Sequence, residues 1–183
     1  MKGLFILCFV IHRLTTAAQD GSDYDNLHHT TDEVQFSDSL QINATIFQKK
    51  PLDSITVKKW FSNLFSGTAK NRLKNRYYYL TGKITNNDFF DLLILQEEKK
   101  KSDSSSVQVV YLITCKKDGT YIASLEAAIA GVRKKFTYNT FSWLFKDNKI
   151  VLTSKMNVNE KSYDDLMNYK ITSRGRFILF PKY

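Results

Sequence analysis

From Arg76 to the C-terminus, short apolar runs alternate with polar clusters rich in turn-forming residues. The cluster Lys117-Asp118-Gly119 places Asp-Gly between two apolar runs, and glycine accepts the positive φ that tight hairpins require. The apolar runs predict eight strands, at residues 77–85, 89–97, 107–116, 120–130, 136–145, 149–157, 169–172 and 177–180. Because the connections are too short for crossover helices, we expect neighbouring strands to be antiparallel.

Three segments of this region need separate comment. Residues 124–132 have apolar side chains at helical spacing, but they follow the Asp118-Gly119 turn directly, which favours a strand. Residues 160–168 are compatible with one or two helical turns capped by Ser162. Residues 107–114 are apolar on both faces of a strand, so we expect the sheet to be covered on both sides there.

One amphipathic helix, near residues 55–66, precedes the strands. Its apolar positions follow the spacing i, i+3, i+4, i+7 and i+8, at Val57, Trp60, Phe61, Leu64 and Phe65. Asp53 or Ser54 is suited to cap its start and Gly67 to end it. We expect Trp60, Phe61 and Phe65 to be buried against the sheet; docking of this apolar face on a membrane or a partner is the alternative.

The first eighteen residues have the pattern of an export signal. A positive start at Met1-Lys2-Gly3 is followed by an apolar run over residues 4–11 and by small residues up to Ala18. This run is too short for a permanent anchor, which needs roughly 20 residues. We therefore predict a signal peptide at 1–18 and an exported protein, in the periplasm, on the cell surface or secreted. Residues 19–33 are polar and without period, and we expect a flexible leader.

These elements predict an α+β, mainly β fold for residues 34–183, as a single β-rich domain. We expect an antiparallel meander of about eight strands, arranged as a curved sheet, an open barrel or a sandwich, with one amphipathic helix near the N-terminus. A length of 183 residues and 14% aromatic residues are sufficient for a hydrophobic core.

Cysteine content and charge add two constraints. Cys8 leaves with the signal peptide, so Cys115 is alone in the mature chain and no intrachain disulfide is expected. Cys115 ends an apolar run, where burial raises the pKa of a thiol, so we interpret it as a structural residue. The formal charge of +9 falls to +7 once Lys2 and Arg13 are removed, and the protein remains basic.

The hairpins, the absence of disulfides and the export signal together resemble small exported β-rich proteins of the Bacteroidota type. The resemblance covers residues 77–183 and lies in strand pattern and composition. It implies an exported β-rich protein, and it implies no activity and no functional residue.

Few residues suggest catalysis. His12 leaves with the signal and His28-His29 lie in the polar leader, so we expect no histidine in the folded part and no Ser-His-Asp or Cys-His arrangement. We predict no metal site and no cofactor. Asp91 and Glu126 each lie on an otherwise apolar strand face, which makes them an acid/base alternative; pairing with a nearby Lys or Arg, or exposure to solvent, is the simpler reading.

A basic stripe is the clearest candidate for ligand binding. Lys70, Arg72, Lys74 and Arg76 share one face if this stretch is extended, and Tyr77 and Tyr79 follow. Such a stripe suits an acidic polysaccharide or a membrane surface. Nucleic acid is a poor partner for an exported protein. A solvated edge strand, protected by its lysines, explains the same pattern.

Three hypotheses for the function follow. The first, which we favour, is an exported, non-enzymatic binding or interaction module. The second is a hydrolase that uses Asp91 and Glu126. The third is an envelope polyanion-binding protein that uses the basic stripe.

Overall fold

The computed structural model describes residues 23–44, 51–65, 73, 75–85, 88–99, 105–133, 135–159 and 161–180. The predicted signal peptide, its cleavage near Gln19, and Lys70, Arg72 and Lys74 lie outside these residues. The side chain of Phe65 is also outside the described part.

The described residues form one antiparallel sheet of nine strands. They are β1 (Ser39–Ile42), β2 (Arg76–Ile84), β3 (Asp91–Lys99), β4 (Ser105–Cys115), β5 (Tyr121–Arg133), β6 (Phe136–Phe145), β7 (Lys149–Val158), β8 (Lys161–Ile171) and β9 (Phe177–Phe180). Strands β2 to β9 follow one another in sequence order, and β1 pairs with β6. The predicted antiparallel meander is confirmed, with β1 as an additional strand, and the sheet is not closed.

In the part of the chain that the structure describes, two α-helices and a short 3-10 helix accompany the sheet. The described part of α1 covers residues 23–29, and α2 (Ser54–Phe61) continues into the 3-10 helix Ser62–Phe65. Asp53 caps α2, because its side chain accepts hydrogen bonds from the backbone N–H groups of Ile55 (2.8 Å) and Thr56 (2.9 Å). The predicted amphipathic helix and its N-cap are therefore confirmed. Within the described residues, no helix has the length and apolar character needed to span a membrane.

The sheet carries an apolar cluster on each face. The helix-face cluster contains Val57 and Phe61 of α2 together with Leu93, Ile113 and Cys115 of the sheet. The inner-face cluster contains side chains from β1 to β8, including Ile42, Ile94, Leu112, Leu144 and Ile171. Strand β4 contributes to both clusters, which confirms the expected cover on both of its faces.

The sheet curls far enough to bring distant strands together on its inner face. The Thr114 hydroxyl on β4 donates a 2.6 Å hydrogen bond to the carbonyl of Gly175, in the turn between β8 and β9. A residue in the middle of the strand order therefore contacts the last hairpin, which requires a strongly curved sheet.

The expectation of a flexible leader is wrong for residues 23–33. Residues 23–29 are helical, and Tyr24 is only 2% exposed because it packs into the helix-face cluster. Asp23 pairs with Lys59 of α2 at 2.9 Å. Tyr24 and Leu27 are the only large apolar side chains in this polar stretch, and two such residues one turn apart give no recognisable period. Tertiary packing decides the structure here.

The segments that were ambiguous in the sequence are both strands. Residues 124–132 lie in β5, as favoured. The helical turns considered for 160–168 do not form at 161–168, because these residues lie in β8, which pairs with β7 from Lys161 opposite Val158 to Lys170 opposite Lys149. A continuous ladder of backbone hydrogen bonds outweighs weak local helix preference.

Candidate functional site

A pocket of about 270 Å³ lies on the helix face of the sheet, across strands β2 to β6. We refer to it as the helix-face pocket. Its lining residues are Arg76, Lys99, Val107, Val109, Tyr111, Glu126, Ile129 and Tyr138.

Strand register brings these side chains together. Arg76 lies opposite Lys99, and Tyr111 lies opposite Glu126, so both pairs share a face of the sheet. Gly131 separates Val107 from Tyr138 in the ladder. Because glycine has no side chain, this position leaves open space between two lining residues.

Glu97 lies beside the lining residues Val109 and Arg76, and it is a candidate residue that the sequence pattern did not predict. It is 1% exposed and forms an ion pair with Arg76, while the hydroxyls of Tyr78 and Tyr111 each donate to its Oε2 at 3.3 Å. A buried carboxylate requires such partners. The sequence signal is the alternation on β3, which places Asp91, Leu93, Leu95 and Glu97 on one face.

Among the residues of the predicted basic stripe, the structure describes Arg76, and it lies on the opposite face of β2 from Tyr77 and Tyr79. Arg76 lines the helix-face pocket and is neutralised by Glu97. Tyr77 and Tyr79 flank Tyr78, which faces Glu97, so they point to the opposite side of β2. Tyr77 is exposed, and the Tyr79 hydroxyl donates to Glu98 at 3.1 Å. Partial burial, together with this hydrogen bond, raises the pKa of Tyr79.

Asp91 belongs to a second polar site, at the other end of the same face. It is 2% exposed; Lys117 Nζ lies 2.6 Å from its Oδ1, and the Tyr24 hydroxyl donates to its Oδ2 at 3.1 Å. His28 Nε2 lies 3.5 Å from the same Oδ2. Burial raises the pKa of Tyr24, and the nearby Cys115 and Asp91 raise it further, so its hydroxyl remains a donor.

His28 corrects the expectation that the folded part contains no histidine. Lys83 Nζ donates to the His28 carbonyl at 2.6 Å and lies 3.4 Å from Nδ1 of the ring. Burial lowers the pKa of His28, the positive charges of Lys83 and Lys117 lower it further, and Asp91 opposes them. At neutral pH the imidazole is therefore uncharged.

Cys115 is a free, buried thiol next to this second site, as the sequence predicted. It lies directly opposite Asp91 in the β3–β4 ladder. Burial, with the negative charge of Asp91 as a further cause, raises the pKa of Cys115 to about 12. A thiol in this environment is a poor nucleophile at neutral pH.

Asp91 and Glu126 share a face, but the fold keeps them apart. In the strand ladders, Asp91 lies opposite Cys115, whereas Glu126 lies opposite Tyr111, four residues before Cys115 on β4. This offset corresponds to about 13 Å along the strand, at about 3.3 Å per residue. Asp91 is also buried in its own ion pair, while Glu126 is exposed at the pocket. The structure does not assemble the two carboxylates into one acid/base site.

No known protein family has a model that matches this chain, and no curated protein or solved structure matches it. Among the described side chains, no cluster of three or more His, Cys, Asp or Glu residues is arranged to hold a metal ion. The candidate site therefore depends on the geometry of the helix-face pocket alone.

Proposed function

We propose that the protein is a non-enzymatic binding module whose ligand occupies the helix-face pocket. One observation carries this proposal: the pocket joins an apolar wall of Val107, Val109 and Ile129 to charged side chains of both signs. In small-molecule sites, apolar side chains contact the body of the ligand and placed polar groups fix its orientation.

The charges around the pocket indicate the chemical class of the ligand. Arg76 and Lys99 are positive, Glu126 is negative, and the buried Glu97 compensates Arg76. The surroundings are therefore dipolar rather than strongly positive. A small molecule with an apolar body and charges of both signs fits this lining better than a polyanion does.

Size supports the same class. A volume of about 270 Å³ is just below the roughly 300–1,000 Å³ typical of ligand pockets, which favours a small ligand. Tyr111 and Tyr138 offer aromatic surface at the wall, and an aromatic ring gains from edge or offset contacts with such side chains. An aromatic zwitterion the size of an amino acid is a suitable probe.

The test is an NMR titration with three matched probes: phenylalanine, phenylacetate and phenethylamine. Phenylalanine is expected to bind most tightly and to shift the amide signals of Val109, Glu126 and Ile129. Glu126→Gln should remove the preference for phenylalanine over phenylacetate, because the neutral amide no longer attracts the ammonium group. Asp164→Asn, an exposed change on β8, is the control and should leave binding intact.

Two outcomes contradict the proposal. One is a set of shifts that avoids the pocket residues for all three probes. The other is tighter binding of phenylacetate than of phenylalanine. That order would show that the protein prefers a simple anion, as the basic-stripe hypothesis requires.

We further propose that the protein acts outside the cytoplasm, after removal of residues 1–18. The charge, apolar run and small residues of that segment support this location. N-terminal sequencing of the protein from its native host should give a start within one or two residues of Gln19. A cytosolic protein that retains Met1 would rule the proposal out.

A further inference from the structure

Helix α1 is held on the sheet by the apolar packing of Tyr24 and Leu27 and by polar contacts around one histidine, His28. Lys83, on β2, holds the helix by donating to the His28 carbonyl at 2.6 Å. Its ammonium group lies only 3.4 Å from Nδ1 of the same residue. A single lysine therefore contacts both the backbone and the ring of His28.

This geometry determines which ring nitrogen carries the proton. An ammonium group has only donors, so the nitrogen that faces it must be an acceptor. Neutral His28 therefore carries its hydrogen on Nε2, which points towards Asp91 at 3.5 Å. A second proton would have to bind at Nδ1, directly against the ammonium of Lys83.

The charges around His28 make that second proton unfavourable while the helix is docked. Asp91 supplies one negative charge, but Lys117 already pairs with it at 2.6 Å, and Lys83 adds another positive charge. Ionisable groups on the surrounding elements include Asp23, Tyr24, Asp25 and His29 on α1, Lys58 and Lys59 on α2, Lys83 on β2, Asp91 on β3, and Cys115, Lys117 and Asp118 at the end of β4 and in the following turn. Of the acids, Asp91 is the one in direct contact with the ring.

We propose that helix α1 is an acid-released latch: a proton added to Nδ1 of His28 displaces Lys83 and frees the helix from the sheet. The loss of the Lys83 contact removes the donor to the helix backbone. The remaining contacts of α1 include the Tyr24 hydroxyl to Asp91, the Asp23–Lys59 ion pair and the apolar packing of Tyr24 and Leu27 in the helix-face cluster, where the Tyr24 and Trp60 ring centroids lie 5.4 Å apart.

The sign of the pH effect follows from the lowered pKa of the docked histidine. The released helix takes up its proton at the ordinary histidine pKa of about 6.5, whereas the docked helix does so only at lower pH. Docking is therefore strongest above about pH 6.5 and weakens as the pH falls below it. Because only one proton is taken up on release, the ratio of released to docked helix can rise by at most about thirtyfold between pH 7.5 and pH 5.

Trp60 reports release, because its ring packs on Tyr24 of α1. In full-length protein carrying Trp143→Phe, Trp60 is the only tryptophan. We expect its emission to move reversibly to longer wavelength between pH 7.5 and pH 5, with the β-sheet circular dichroism unchanged. His28→Gln, which has no titratable ring, should keep the neutral-pH emission throughout. His29→Gln removes the exposed neighbour and should leave the transition in place.

A further variant covers the case in which His28→Gln does not fold. Lys83→Met removes the ammonium group that contacts His28. Already at pH 7.5, the Trp60 emission of this variant should lie at the longer wavelength that the wild type shows at pH 5. The proposal is overturned if wild-type emission is the same at both pH values, if the transition persists in His28→Gln, or if Lys83→Met keeps the docked emission at pH 7.5.

Discussion

Phe61 provides the sharpest test of how α2 is held on the sheet. Its side chain is 0% exposed and packs in the helix-face cluster, whereas Ile55, six residues earlier on the same helix, is 77% exposed. The two residues are large and apolar but differ in burial. Truncating each to alanine therefore separates packing from any general effect of mutating the helix.

The expected magnitude follows from this burial. Removing a fully buried ring loses about 1.5–3 kcal/mol of hydrophobic transfer free energy, and the cavity that remains costs more. Phe61→Ala should therefore lower the free energy of unfolding by about 3–5 kcal/mol. Ile55→Ala should change the free energy of unfolding by no more than about 0.5 kcal/mol. An exposed side chain contributes little packing, and alanine has a high helix propensity.

Urea unfolding followed by circular dichroism measures both variants. The m-value should stay the same, so that a lower midpoint reports stability alone. If Phe61→Ala and Ile55→Ala had the same midpoint, the packing of α2 on the sheet would be refuted, and its apolar face would have to serve a partner or a membrane.

Three further results are expected. Gly119→Ala should destabilise the protein by about 1–3 kcal/mol in the same urea assay, since Gly119 has φ +83° and a Cβ there would lie 2.5 Å from the Tyr24 ring; a wild-type midpoint would contradict this. Arg76→Met and Glu97→Met combined should cost at least about 1 kcal/mol less than the sum of the two single changes, because each single change leaves a charge without its partner; additive costs would show that the pair is not coupled. Cys115, with a pKa of about 12, should react with iodoacetamide at pH 8 at least about a hundredfold more slowly in the native protein than in urea, and equal rates would show that the thiol is accessible.

The meander could be predicted from the sequence because its signals are local. A hairpin is specified by a turn and two flanking apolar runs; Gly119 has the expected positive φ, and Asn148 and Gly175 have a positive φ in two further turns. The helix at Val57 and Phe61 was found for the same reason, since its period and its N-cap lie within a dozen residues.

The polar contacts of the two sites could not be predicted, because they join residues far apart in the sequence. Tyr24 lies 67 residues from the Asp91 that it contacts, and Arg76 lies 21 residues from Glu97. Strand alternation correctly placed Asp91 on an apolar face, but no periodic pattern specifies which cation pairs with it. Glu97 was passed over because Glu98 and three lysines follow it, and this run reads as a solvated loop.

The pairing of β1 with β6 also bears on the order in which the chain folds. Ile42 lies opposite Ser142, a hundred residues later, whereas at most six residues separate neighbouring strands of the meander in the sequence. Contacts that close long loops form late, because the entropy of closure is lost before they stabilise anything. We expect the amides of β1 to gain protection last in pulsed hydrogen exchange. The segment that leaves the ribosome ahead of the meander must therefore wait, unpaired, until the five strands from β2 to β6 have been made.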